Sequence, residues 1–302
     1  MKTLLYFSFY LGVMFSLISL TSVSKPMSVS KFNKFINDFY GYVPSGLVKL
    51  QEDTFSVQSF IIGKTEVTNF DYKIFLNDLL SNGEIDKYNI AKVNSFNWSS
   101  SKSLNQKYVD YYHSHSAYRN HPVVNISKQG AELYCEWLTK RINANLPEGQ
   151  KLQFRLPLKS EWLRAACGDD LDAPYSWKGQ YVRNSKGMIL ANFVQVGEGS
   201  ISRNEKNEFV VLPYQGELND FGDIIAPTKS FWPNEFDIYN MNGNVAELLA
   251  DSDEVIGGSW FDAGYDIRNR SLKKYSGSSP MVGFRVVATV IQSEHSWHKV
   301  KN

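Results

Sequence analysis

The stretch Asn240-Met241-Asn242-Gly243-Asn244-Val245-Ala246-Glu247 sets asparagine, glycine and glutamate against a few apolar residues in a short run. Glycine favours positive φ and asparagine tolerates it, so the run reads as a tight loop. The spacing predicts that this loop enters a helix at its far end. Oxygen donors recur along it. Asn240 and Glu247 offer side-chain oxygens, and Gly243 and Val245 offer carbonyls. Such a mixed set suits calcium, which takes about six to eight oxygens in flexible geometry. A glycine turn whose Glu247 merely favours the positive helix end accounts for the same residues.

Outward from this loop, helix starts are legible. Thr68 is placed to cap a helix, with Asp71 three positions on and Tyr72, Phe75, Leu76 and Leu79 on one face. Ser127 opens a second helix with Ala131, Tyr134, Cys135 and Leu138 on one side, and Gly130 is a weak spot in it. A third runs from Lys159 to Cys167. Apolar residues dominate from Arg285 to Ile291, which reads as a strand. From Asn184 to Phe236 there is little periodicity, and a long irregular region inside a folded domain calls for ions or functional loops.

At the N-terminus, Lys2 precedes an apolar stretch from Leu4 to Leu20, then Thr21-Ser22-Val23-Ser24. A positive start, apolar middle and small residues describe a secretory signal peptide over residues 1–24, with an uncleaved anchor as the alternative. Residues 25–41 read as a leader, 42–291 as one domain and 292–302 as a tail. The expected mature protein carries no membrane span and is exported to the periplasm, the cell surface or beyond.

Composition narrows the classes. With 43% apolar residues in 302, the chain can build a core and is not a disordered protein. Lys+Arg is 32 against 31 Asp+Glu, so no basic surplus points to nucleic acid. Two cysteines exclude a disulfide-dense scaffold and an all-thiolate zinc site.

Several short segments in one order resemble the formylglycine-generating enzyme / sulfatase-modifying-factor family. They are Gly63 to Asn69 (GKTEVTN), His121 to Ser127 (HPVVNIS), Ala131 to Leu138 (AELYCEWL), Arg155-Leu156-Pro157 with Glu161-Trp162, the Asn240–Glu247 loop, Gly257-Gly258-Ser259-Trp260, and Gly283-Phe284-Arg285. The resemblance implies an α+β, C-type-lectin-like fold, loop-rich, with short strands and about three helices. It implies calcium ligands at Asn240, Gly243, Val245 and Glu247. It also implies a second calcium site at Asn192, Phe193, Asp220 and Gly222, although Asn219-Asp220-Phe221-Gly222 departs from the family's usual order. Leu158 departs too, where the family has a hydroxyl before its third helix; losing that cap costs about 1 kcal/mol.

Family oxidases bind Cu(I) through two cysteines shortly after the Gly-Gly-Ser motif. Here Asp262 stands at the first position and no cysteine follows. A carboxylate is a hard ligand and does not hold Cu(I) comparably, so copper is not expected. Cys135 and Cys167 are left as buried thiols, a mutual disulfide or a redox pair. Ser259, Asp262 and Arg268 would border the family's cleft. His113 and His115 lie in an aromatic loop and read as packed or solvated histidines rather than iron ligands. The expectation is a non-catalytic, calcium-stabilised module binding an exported protein or a glycan. The alternative is an oxidase of formylglycine-generating or non-haem iron type with altered ligands.

Overall fold

Thr68 caps its helix as the spacing predicts: its hydroxyl accepts from Asp71 N at 3.1 Å, and Asp71 Oδ2 accepts from the Thr68 hydroxyl at 2.6 Å. This is seen in a computed structural model that describes residues 28–50, 52–100, 106–146, 150–194, 201–207, 209–211 and 225–292. The expected signal segment and the tail beyond Gln292 lie outside the described residues.

The helices are α1 (Val29–Phe39), α2 (Asn69–Ser81), α3 (Ile85–Ala91), α4 (Gln106–Tyr111), α5 (Lys128–Asn143) and α6 (Lys159–Cys167). Six α-helices among the described residues replace the three expected. The additional ones are short or lie in the expected leader, where Phe32, Phe35 and Ile36 repeat at helical spacing and pack on the core. Residues 29–43 form a helix and a sheet strand, so the expected leader of 25–41 carries regular structure over its described part.

One sheet has the order β1 (Tyr40–Val43), β4 (Phe60–Gly63), β12 (Val287–Gln292), β5 (Gln150–Arg155), all antiparallel. β12 lies between β4 and β5, so the two ends of the domain close on each other. Strand alternation sends Ile61 and Ala288 to one face, and Ile62 and Val287 to the other. On the first face, Tyr72 and Phe75 of α2 meet Tyr134 of α5 and Phe284, with ring centroids 5.3 to 6.2 Å apart. On the second, Trp162 of α6 is fully buried with Ile238, Met241 and Ile256.

A second sheet runs β10 (Leu272–Lys274), β9 (Glu254–Ile256), β8 (Ala246–Leu248), β11 (Val282–Gly283), with β11 parallel to β8. β8 corrects the sequence reading: Ala246–Leu248 is a strand, not a helix start. Its residues are buried on both sides between β9 and β11, where ladder pairing outweighs local propensity. β2 (Gly46–Leu50) with β3 (Asp53–Val57), and β6 (Ile201–Arg203) with β7 (Phe209–Val211), form separate hairpins. The backbone from Asn184 to Phe236, as far as it is described, is mostly loop.

Candidate functional site

Each polar side chain of the Asn240–Glu247 loop has a distinct task. Asn242 is buried. Its Oδ1 accepts from Ser176 N at 2.8 Å, and its Nδ2 donates to Ile267 O at 2.7 Å and to Asn269 Oδ1 at 2.9 Å. Asn244 Oδ1 accepts from Ala226 N at 2.9 Å and from Asn192 Nδ2 at 3.2 Å, while its own Nδ2 donates to Glu66 Oε1 at 2.7 Å. Asn240 Nδ2 donates to Thr228 O at 3.1 Å and to Glu66 Oε2 at 3.3 Å. Asn240, Gly243 and Asn244 all adopt positive φ, which is why this loop is written in glycine and asparagine.

Glu247 is buried against Arg285. The Arg285 Nε lies 2.8 and 2.7 Å from the two carboxylate oxygens, its Nη2 lies 2.6 Å from Oε1, and Trp162 Nε1 donates to Oε2 at 2.8 Å. Arg285 also reaches the carbonyls of Gly63 and Tyr239, tying both sheets to the loop. Glu66, equally buried, makes no ion pair among the described residues. Burial pushes its carboxyl up to about 7, opposed by Arg285 and reinforced by Glu247. Both interior carboxylates lie in the field of Arg285, which ion-pairs with Glu247 and not with Glu66 among the described residues. Sequence reasoning passed over Glu66; the available signal was a charged residue set beside Val67 in a segment otherwise committed to the fold.

That surplus of negative charge suits a cation, as does Asn240 Oδ1, which is buried without a hydrogen-bond partner. Glu247 does not stand ready as a ligand, because Arg285 and Trp162 hold both its oxygens. Of the second expected calcium set, Asn192 and Phe193 are buried in the loop facing Asn244, while Asp220 and Gly222 lie outside the described residues.

Around the Gly-Gly-Ser turn, Gly257 and Gly258 have φ of 88° and 67°. A Cβ on Gly258 would sit 2.8 Å from Asp266 O, so the turn is closed to larger residues. Ser259 is buried, and its backbone N–H and hydroxyl both donate to Asp262 Oδ2 at 2.8 Å. Lys273 of β10 pairs with the other Asp262 oxygen. Asp262 is thus a turn-locking residue, and Ser259 has no hydroxyl left to offer a ligand. Arg268 differs: its guanidinium lies 4.2 Å over the ring of exposed Tyr265, and its Nε is buried with no partner.

Cys135 and Cys167 are both unbonded and buried, in different parts of the core. Burial raises both thiols. Cys167 Sγ accepts from Asn269 Nδ2 at 3.4 Å. His113 Nδ1 is 2.9 Å from Asn69 Oδ1, and burial lowers His113 to about 3 and His121 to about 4. His115 accepts from Ala117 N in its own turn. Among the described residues, no three His, Cys, Asp or Glu side chains converge as a metal-holding group, and no helix is long and apolar enough to cross a membrane.

Comparison with known proteins fits this architecture. The chain is 30% identical over 132 residues to the formylglycine-generating enzyme of Thermomonospora curvata, an alignment covering 44% of this chain and 34% of that protein. It is 30% identical over 132 residues to the formylglycine-generating enzyme of Mus musculus, covering 44% of this chain and 27% of that protein. The matched region is thus about a third or less of the length of these curated relatives. Two solved structures share the fold. CarF has a TM-score of 0.54 at 22% identity, with 82% of this chain and 97% of that chain covered. PvdO from Pseudomonas aeruginosa has a TM-score of 0.53 at 17% identity, with 82% and 92% covered. Residues 41–290 match the family model described as the sulfatase-modifying factor enzyme 1-like domain, and the chain belongs to that family.

Proposed function

We propose that this chain is an exported, non-catalytic member of the family, a module whose loops are steadied by calcium and bind a protein or a glycan. One observation carries the non-catalytic reading: the position of the first copper-binding cysteine is filled by Asp262, and Ser259 and Lys273 occupy its carboxylate. A hard oxygen donor already engaged in an ion pair is a poor Cu(I) ligand. The two thiols that remain are interior and raised, which disfavours the thiolate that copper and oxygen chemistry require. Export rests on the signal-like residues 1–24. Calcium rests on the loop's oxygen donors and the surplus interior carboxylate.

The test is reconstitution with Cu(I) and with Fe(II), followed by oxygen uptake on a cysteine-containing peptide. The expected result is no stoichiometric redox metal and no oxygen consumption above buffer. Bound metal with turnover would replace this reading with the alternative, an oxidase with altered ligands.

A further inference from the structure

We propose that Arg268, stacked on Tyr265, is a carboxylate-binding site and that its occupant is an acidic, extended segment of a partner protein laid along β10. The proposal rests on the interaction-module reading and gives that module a ligand class.

A guanidinium left with a buried donor and no acceptor is unusual, because folded proteins satisfy nearly all such groups. Arg268 Nε is in that state, and Arg268 forms no ion pair among the described residues. Asp262 is taken by Ser259 and Lys273, and Asp266, two positions before Arg268, forms no ion pair with it among the described residues. The Tyr265 ring beneath it holds the planar fork in place at 4.2 Å. A stacked, pre-oriented guanidinium suits a planar anion accepting two parallel hydrogen bonds, which is the geometry of a carboxylate.

The surroundings choose the kind of carboxylate. Residues 268–274 read Arg-Asn-Arg-Ser-Leu-Lys-Lys, four cations with no acid between them. Lys273 is paired with Asp262, whereas among the described residues Arg270 donates to the Leu171 carbonyl and forms no ion pair, and Lys274 is exposed. The run continues into β10, the terminal strand of its sheet, whose outer edge carries no further strand among the described residues. Edge strands accept an added strand through main-chain hydrogen bonds. A peptide can supply both that backbone and acidic side chains. An acidic sugar supplies only the charge.

The experiment is fluorescence anisotropy of labelled hexaglutamate titrated with the full chain at low and physiological salt. Wild type is expected to bind. Arg268→Gln and Arg268→Lys are both expected to weaken binding about tenfold or more, because lysine keeps the charge but loses the fork. Lys229→Gln, away from the run, should bind as wild type. Melting midpoints should change little in the Arg268 variants, since this side chain forms no ion pair among the described residues and rests only on the exposed Tyr265 ring. Wild-type affinity in Arg268→Lys would reduce the effect to diffuse attraction and overturn the site. Arg268-dependent binding of tetragalacturonate with none of hexaglutamate would make the occupant a glycan and overturn the peptide assignment. Oxygen turnover would sink the module reading separately, whatever this titration gives.

Discussion

Glu66 shows how much one buried carboxylate can govern. Its two oxygens accept from Asn244 and Asn240, yet Arg285, the guanidinium that acts on it, is ion-paired with Glu247. With the folded carboxyl raised to about 7 and an unfolded value near 4.5, the native state binds the extra proton between those limits. Stability should therefore fall as pH rises from about 4.5 to 7 and level off above, by something of the order of 3 kcal/mol at most. His113 and His121 act oppositely: held neutral by burial, they remove stability as pH falls below about 6.5. Urea melts of wild type and Glu66→Gln in EDTA, across pH 4.5 to 8, separate the two. Relative to the variant, the wild type should lose stability as pH rises from about 4.5 to 7, the histidine effect being common to both. Parallel curves would mean that Glu66 does not carry the proton. At this scale the sequence was only partly legible. Asn240, Gly243 and Glu247 stood out by spacing, whereas a charge inside Thr65-Glu66-Val67 carries no sign of its burial until Arg285 arrives from the other end of the chain.

Elements were legible where local rules decide them. Thr68 and Ser127 cap the helices they were expected to cap, and α6 spans the expected residues. Gly130, a weak spot by propensity, lies where α5 crosses α3: a Cβ there would meet Ala91 Cα at 3.1 Å and Tyr72 Oη at 2.8 Å. The helix-to-strand error at Ala246–Leu248 came from tertiary pairing that no local pattern encodes. Leu158 offers a direct test of capping. Glu161 already accepts from Leu158 N at 2.9 Å, so half of a capping box exists and the hydroxyl half is missing. Leu158→Ser should complete it and stabilise the protein by about 1 kcal/mol, a rise of roughly 2 to 4 °C in melting midpoint. Thr68→Ala should lower the midpoint by a similar amount. Both follow from thermal denaturation, and a drop for Leu158→Ser would show that the half-buried leucine packs more usefully than a hydroxyl caps.

At the scale of the molecule, two four-stranded sheets, two hairpins and six described α-helices surround a core crossed by asparagine side chains, and loops carry much of the chain between them. Loops of this kind usually stay ordered through polar networks or ions. Here the networks are visible: Asn242 with Asn269, Asn244 with Asn192, Arg285 with Glu247. They leave two loose ends, the unpartnered Asn240 Oδ1 and the unpaired Glu66 charge, and a calcium ion held by this loop would satisfy both. If it binds, Glu247 must loosen Arg285 or leave coordination to Asn240 and the carbonyls of Gly243 and Val245. Binding to the native state alone would add about 2.7 kcal/mol at a hundredfold excess over the dissociation constant, roughly 5 to 10 °C in midpoint. Calorimetric melts in calcium and in EDTA should differ by that order. Asn240→Ala should erase the difference while keeping a cooperative transition, and magnesium should not substitute, since it demands tighter octahedral geometry. Coincident melts in calcium and EDTA would instead mean that Glu66 keeps its proton at neutral pH and that the hydrogen-bond networks hold these loops unaided.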